Sequence, residues 1–215
     1  MPLSFSKNIN STCQLLIWKS TESIEELEKM IDLSKYNTQQ YNEFQNQSRK
    51  KEWLISRVLV QFFLNKSVDI VHNEHGKPFL KDSEYEISIS HSKNYLGIII
   101  GKNAEFALDI EYLSDRVERV ASRFLHDAEL EFITLDNLRN LHLYKCWCAK
   151  EVLIKLYGKK NPDLRTQLRI APFCAADTHF KGELIMPDKQ KHYHFESIEF
   201  DGMLLVWSVA DSAAN

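Results

Sequence analysis

The spacing of apolar and polar positions predicts helices at the start of the chain. Ser23 and Glu26 form a capping-box pattern, and apolar residues follow them at helical spacing. A longer helix is predicted from about Gln39 to Leu64. The segment HGKPF at 75–79 interrupts this periodicity, because glycine supplies a turn and proline disfavours helix at its own position and the one before.

Strand-like segments come next, and the order of helices and strands then repeats. Three strands are predicted in succession, at 85–91, 95–100 and 106–113, with connections of hairpin length. The second half opens with helical sequence, including a mostly apolar helix at 143–158. It closes on two strand-like segments around Asp201-Gly202, which is a strong two-residue hairpin signal. Helices followed by antiparallel strands indicate the α+β class. We therefore predict two similar α+β subdomains with packed helices, 1–104 and 105–215.

Composition narrows the possible classes of protein. The 215 residues carry a formal net charge of −3, which argues against broad nucleic-acid binding. The longest aliphatic run near the middle, at 96–100, is far too short to span a bilayer, and the N-terminal sequence does not resemble a signal peptide. Four cysteines without a C-x-x-C pair indicate reduced thiols. We expect a compact cytoplasmic protein that binds neither nucleic acid nor membrane.

Three charges stand in the centre of the apolar helix at 143–158. They are Lys150, Glu151 and Lys155. Glu151 and Lys155 are four residues apart, so they could form an exposed pair contributing a few tenths of a kcal/mol. The helix offers little other polar surface, however. We therefore expect these charges to face a polar partner.

A pair of carboxylates lies on one predicted strand. In FALDIE, strand alternation places Asp109 and Glu111 on the same face as Ala107. A hard divalent cation such as Mg²⁺ would relieve the repulsion between two such carboxylates. A solvated strand face is the alternative, and a D-x-E pattern alone does not decide between them.

Basic residues elsewhere could contact an anion. Lys77 follows the turn glycine, His91 ends a predicted strand, and Arg57 lies within a strongly apolar helical segment. Each of these is common in ordinary surface, turn or packing roles. Their order along the chain is more specific than any one of them.

That order resembles the 4′-phosphopantetheinyl transferases of the surfactin-synthetase-activating type. The matching motifs are GKP (76–78), SISHS (88–92), ALDIE (107–111), RFLHDAE (123–129) and WCAKEVLIK (147–155). The last is the most specific. The family usually has glycine where this chain has Ala107, and the small methyl group is expected to adjust the pocket only slightly.

The resemblance implies a pseudo-twofold pair of subdomains, an activity and a set of site residues. The activity is Mg²⁺-dependent transfer of 4′-phosphopantetheine from coenzyme A to a serine of an acyl- or peptidyl-carrier protein, with release of 3′,5′-ADP, by a monomer. Glu151 and Lys155 would be catalytic. The implied metal ligands are Asp109, Glu111 and Glu151. The implied coenzyme A contacts are Arg57, Lys77, Pro78, Ser90, His91, Asp109, Lys150 and Lys155. Glu129 is either a functional residue of the motif or a first-turn carboxylate favoured by the helix dipole.

Two other classes of function stay open from the residues alone. One is another Mg²⁺-dependent phosphoryl transferase, although no G-x-x-x-x-G-K-[ST] phosphate loop occurs in the chain. The other is a non-catalytic domain that binds coenzyme A or a nucleotide. This second class gives no reason for the charges at the centre of an apolar helix.

Overall fold

The computed structural model describes residues 3–133, 135, 137–159, 162–187 and 189–211. The chain forms two compact units, Met1–Asn103 (unit 1) and Ala104–Asn215 (unit 2). Both contain an antiparallel sheet and one long helix. The predicted α+β class with antiparallel sheets and packed helices is confirmed.

Unit 1 contains a four-stranded antiparallel sheet and a separate two-stranded hairpin. The sheet has the order β1-β2-β6-β5, and β3 pairs with β4 in the hairpin. The strands are β1 (Leu3–Asn8), β2 (Cys13–Lys19), β3 (Ile70–His72), β4 (Pro78–Leu80), β5 (Glu86–Ser92) and β6 (Tyr95–Gly101). β6 is central in the sheet, and every one of its residues is buried.

Three α-helices accompany this sheet: α1 (Ile24–Glu28), α2 (Gln39–Glu43) and α3 (Gln47–Leu64). Both hydrogen bonds of the predicted capping box are present at the start of α1. The single helix predicted from Gln39 to Leu64 is wrong in one respect, since it is divided at 44–46. Phe44 is extended there, and the Asn46 side chain accepts the Ser48 N–H at 2.8 Å, which starts α3 afresh.

The core of unit 1 forms between α3 and the sheet. α3 buries Trp53, Leu54, Ile55, Val58, Leu59 and Val60 in one cluster with Leu96, Ile98 and Ile100 of β6. The hydrophobic effect of this burial fixes α3 against the sheet. It therefore also fixes the polar residues that α3 and β5 carry.

Unit 2 contains a five-stranded antiparallel sheet of order β7-β11-β10-β9-β8. The strands are β7 (Ala104–Tyr112), β8 (Leu168–Ile170), β9 (His179–Met186), β10 (Lys189–Phe200) and β11 (Met203–Asp211). The hairpin predicted at Asp201-Gly202 joins β10 to β11, and both turn residues have positive φ. The predicted strand at 106–113 is β7, which pairs with β11 and lies in a different sheet from β6.

The helices of unit 2 are two short ones, α4 (Ala121–Phe124) and α5 (Asp127–Leu130), and the long α6 (Arg139–Tyr157). α6 ends at Gly158, whose φ of 66° suits glycine. It packs on the sheet through Leu143, Cys146, Ala149, Val152, Leu153 and Leu156, in one core cluster with Ala107, Leu204 and Val206. This packing places Lys155 of α6 beside β7.

Candidate functional site

An ion pair joins the middle of β7 to the last turn of α6. The Lys155 ammonium of α6 lies 2.9 Å from Asp109 Oδ1 and donates a second hydrogen bond to the Leu108 carbonyl at 2.8 Å. Asp109 is only 5% exposed, whereas the Lys155 side chain is 28% exposed. The pair is therefore buried on the strand side and open to solvent on the helix side.

Glu151 lies in the same electrostatic environment. Its pKa is raised to about 7, mainly by burial and also by the nearby carboxylates of Asp109 and Glu111, while Lys155 opposes the shift. The predicted trio of carboxylates is thus close enough for its charges to interact. A carboxyl group with a pKa near 7 exchanges its proton around neutral pH.

Glu111 is held by the first residue of the W-x-x-K-E motif. The indole N–H of Trp147 donates to Glu111 Oε1 at 3.4 Å, and the Trp147 ring meets Phe124 edge-to-face at 5.2 Å between centroids. The aromatic contact fixes the indole in the core of unit 2. This gives the tryptophan a positioning role that its place in the motif alone did not reveal.

These carboxylates fit Mg²⁺ by their chemistry but do not form a ready-made coordination shell. The described residues contain no group of three or more His, Cys, Asp or Glu side chains arranged to hold a metal ion. Asp109 is engaged instead with the Lys155 ammonium. Hard oxygen donors are nevertheless what Mg²⁺ prefers, and a cation there would relieve the repulsion that raises the pKa of Glu151.

Lys150 lies apart from this group, in the interior of unit 2. Its side chain is fully buried, and its ammonium contacts Glu129 Oε2 at 2.6 Å. It also donates to the carbonyl oxygens of Phe124 at 2.7 Å and Leu164 at 2.8 Å. All three N–H donors are thereby used within the protein. This geometry argues against the expected phosphate contact of Lys150 and for a structural ion pair.

Glu129 is the centre of this buried network. Besides Lys150, its carboxylate accepts the backbone N–H groups of His126 and Ile170, each at 2.7 Å. The first of these bonds belongs to a capping box at the start of α5, and the second attaches α5 to the edge strand β8. Glu129 is thus a first-turn carboxylate, and it also joins α5, α6 and β8.

The spacing of the three charged residues along the helix could have shown from the sequence that Lys150 lies on a different face from Glu151 and Lys155. Successive residues turn by about 100° around an α-helix, so Glu151 and Lys155 lie about 40° apart on α6. Lys150 lies about 100° from Glu151 and about 140° from Lys155 on the same projection. The three charges therefore never shared one face, although they stand close together in the sequence.

In unit 1, Arg57 is buried against apolar and backbone groups. Its guanidinium lies 3.5 Å from the centroid of the Trp53 ring and donates to the carbonyl oxygens of Trp53 and Ile70. Burial lowers its pKa to about 10, while Asp69 opposes that shift. Arg57 also lines a cavity of about 320 Å³ that includes Asp69 and His72. The contacts present are those of a packed cation–π pair.

The turn predicted to carry Lys77 is present. Gly76 has a φ of 85°, and the Asn73 side chain accepts the Lys77 backbone N–H at 2.9 Å. Pro78 is the first residue of β4 and lies opposite His72. The Lys77 side chain is partly buried at the end of this turn.

His91 and Ser90 lie in β5, with Ser90 buried and His91 exposed. His91 Nε2 is 3.3 Å from Glu52 Oε1 of α3, and both line a cavity of about 180 Å³. Lys51 and Lys93 also line it, and sequence reasoning missed both. Lys51 could have been found from the helical spacing of Ser48, Glu52 and Ile55, which line the same cavity.

In the described part of the chain, no helix combines the length and the apolar character needed to cross a membrane.

No curated protein matches the chain. One segment of unit 2, residues 105–210, contains α6, β7 from its second residue onward and the charged residues that these elements carry. This segment is similar to the 4′-phosphopantetheinyl transferase superfamily.

Proposed function

We propose that this protein transfers the 4′-phosphopantetheine group of coenzyme A to a serine hydroxyl of an acyl- or peptidyl-carrier protein. The match of residues 105–210 supports phosphopantetheine transfer as the general activity. The observation that carries the proposal is the association of Asp109, Glu151 and Lys155 within that segment. The surfactin-synthetase-activating type, a cytoplasmic location and a monomeric state are part of the same proposal.

The reaction is a displacement at phosphorus. The serine oxygen forms a bond to the β-phosphorus of coenzyme A, the bond from that phosphorus to the bridging oxygen breaks, and 3′,5′-ADP leaves with the electron pair. Asp109, Glu111 and Glu151 would hold Mg²⁺ on the pyrophosphate. When bound, the ion neutralises part of the charge on the phosphate oxygens.

Glu151 is the residue that we assign to accept the serine proton. Its pKa of about 7 suits this role, because a base is most effective when its pKa lies near the working pH. The Glu151 side chain is partly buried, and its pKa is therefore higher than that of an ordinary surface carboxylate. The alternative of an exposed Glu–Lys pair does not account for this environment.

Lys155 is assigned to the charge that develops on the transferring phosphoryl group. Its ammonium is fixed by Asp109 and the Leu108 carbonyl, so little reorganisation is needed when charge appears nearby. Its partial exposure leaves one side open to a substrate. Asp109 thereby orients the lysine in addition to its proposed metal contact.

In unit 1 we assign Lys77, Pro78, Ser90 and His91 to coenzyme A. Lys77 is presented by a rigid turn, and His91 lines a cavity that also carries two lysines. We also assign Arg57 as a phosphate contact, and the support for this is that it lines the cavity of about 320 Å³. Lys150 is not kept, because its buried ion pair uses every donor it has.

The proposal is tested by incubating the protein with a panel of carrier proteins and a fluorescent coenzyme A analogue, with Mg²⁺ or with EDTA. We expect Mg²⁺-dependent labelling of at least one fatty-acid, polyketide or peptide-synthetase carrier, and none when its acceptor serine is replaced by alanine. Thermal unfolding with coenzyme A separates the alternatives. Stabilisation by coenzyme A without labelling of any carrier would indicate a non-catalytic binding domain.

A further inference from the structure

Unit 2 contains a cavity that the proposed transfer does not use. Its volume is about 560 Å³. Cross-strand pairing places Arg169 of β8 opposite Glu183 of β9, and Glu183 opposite His192 of β10, so three charged or titratable residues follow one row across the sheet. Lys181 is two residues from Glu183 and also lines the cavity, as does the partly buried ring of Phe132.

The basic side chains of this cavity have unused donors. Arg169 Nε is buried and has no hydrogen-bond partner among the described residues. Neither Arg169 nor Lys181 forms a side-chain hydrogen bond or ion pair with any other residue in the described part of the chain. A buried donor without an acceptor costs free energy, so an acceptor that entered the cavity would recover it.

Of the two acidic residues that line the cavity, Glu129 is neutralised by a buried cation and Glu183 keeps its charge. Glu129 is fully used by Lys150 and by two backbone N–H groups. Glu183 Oε2 accepts from Gln190 at 2.6 Å and lies 3.4 Å from His192 Nδ1. The two cations Arg169 and Lys181 therefore outnumber the one remaining carboxylate, that of Glu183, and the cavity favours a negatively charged ligand.

The rest of the wall is mainly apolar. Phe132, Ile170, Pro172 and Ile185 contribute to it, and Phe132 is held by ring contacts with His142 at 5.5 Å and Phe173 at 5.8 Å. A site with an apolar wall and a few convergent polar groups is typical of small-molecule binding. An arginine fork beside a lysine matches the geometry of a carboxylate or a phosphate.

We propose that this cavity binds a small organic oxyanion, with its carboxylate or phosphate on Arg169 and Lys181 and its apolar body against Phe132 and Ile185. The proposal is independent of phosphopantetheine transfer, because none of the residues assigned to that reaction lines the cavity. A carboxylate and a phosphate would use the same donors, and the probes used in the experiment distinguish between them.

The experiment is a titration of the full chain, followed by isothermal calorimetry, with hexanoate, phenyl phosphate, acetate and hexanol. We expect saturable binding of hexanoate or phenyl phosphate, with weaker binding of acetate, which lacks the apolar body, and of hexanol, which lacks the charge. Arg169→Gln should weaken the preferred probe by about 10- to 100-fold, as expected for loss of a hydrogen bond to a charged group. Arg123→Gln is the matched control, since Arg123 is exposed in the same unit and does not line the cavity.

A second variant keeps the test decisive if Arg169→Gln fails to fold. Lys181 is exposed, so Lys181→Gln should leave the fold intact and still weaken binding, whereas the exposed Lys66→Gln in unit 1 should not. No saturable binding of either anionic probe would overturn the proposal. Equal binding of hexanol and hexanoate, or equal affinity in Lys181→Gln and Lys66→Gln, would overturn it as well.

Discussion

Replacing Lys150 by methionine separates the two roles that a lysine in the W-x-x-K-E motif could have. The substitution keeps an unbranched side chain of similar length but removes the ammonium from Glu129. If Lys150 is a structural residue, stability falls and coenzyme A affinity survives. If it binds phosphate, the opposite pattern follows.

The expected loss of stability follows from the burial of the pair. Both side chains are almost entirely buried, at 0% and 2% exposure, and removal of one partner leaves the other charge without compensation. Such a change costs about 3–5 kcal/mol. The carbonyl groups of Phe124 and Leu164 lose their donor at the same time, which places the expected value toward the upper end of that range.

The assay is urea unfolding followed by far-ultraviolet circular dichroism, together with calorimetric binding of coenzyme A at a temperature where the variant is folded. With a urea m-value of about 2 kcal/mol/M, the midpoint should fall by roughly 2 M. Lys155→Met is the matched control on the same helix. Its pair with Asp109 is open to solvent on the lysine side, so its loss of stability should be smaller than that of Lys150→Met while its transfer activity falls strongly.

Glu129→Gln tests the same pair from its other side. It leaves the buried Lys150 ammonium without its counter-charge, and the amide nitrogen cannot accept a hydrogen bond as the carboxylate oxygen does, so a loss of about 3–5 kcal/mol is expected here too. An unchanged urea midpoint in Lys150→Met, combined with a clear loss of coenzyme A affinity, would refute the structural assignment. Lys150 would then return to the phosphate contacts.

Further predictions concern the carboxylates and the cofactor contacts. The folded pKa of Glu151 is raised above its unfolded value, so the stability linked to its proton is present below about pH 4.5 and is lost as pH rises through about 7. Without metal, Glu151→Gln should therefore be more stable than wild type at pH 8, by at most about 3 kcal/mol. This difference in stability, measured by thermal unfolding, should vanish toward pH 4. For wild type, the single-turnover rate at fixed Mg²⁺ should rise with pH and then level off below about pH 7, because the unprotonated carboxylate is the active form and bound Mg²⁺ lowers its pKa from the metal-free value of about 7. A rate that falls over this range would exclude Glu151 as the base. Asp109→Asn should lose Mg²⁺-dependent transfer while retaining its circular dichroism spectrum, and full turnover at saturating Mg²⁺ would contradict its role as a ligand. Lys77→Ala and His91→Ala should raise the KM for coenzyme A more than they lower kcat, which steady-state kinetics would show; an effect confined to kcat would count against both contacts.

Local sequence patterns predicted the features that depend on near neighbours. The capping box of Ser23 and Glu26 and the hairpin at Asp201-Gly202 are set by residues within one turn of the chain, and both are present. The break between α2 and α3 was missed because a single Asn46 cap outweighs continuous helical periodicity. Helix boundaries of this kind are decided by one side-chain hydrogen bond.

Features that depend on distant pairing could not be predicted in the same way. The short connection after β6 suggested another hairpin, yet β7 pairs with β11 near the C-terminal end of the chain. Similarly, the partner of Lys150 is Glu129, which is 21 positions away and held by α5. The sequence indicated which residues carry chemistry. It did not show that Lys150 is a structural group while Glu151 and Lys155 are site residues, because that difference depends on how α6 packs in unit 2.

The central claim is that Glu151 accepts the serine proton in a phosphopantetheine transfer, and a rapid-quench single-turnover measurement tests it most directly. Wild type and Glu151→Gln are mixed with coenzyme A, Mg²⁺ and a labelled carrier identified by the panel, and the intact mass of the carrier is followed with time. We expect wild type to convert the carrier in one exponential phase. Glu151→Gln should still bind coenzyme A but transfer about 10²–10⁴-fold more slowly or slower still. A variant that binds coenzyme A and converts the carrier at a rate near that of wild type would contradict the claim.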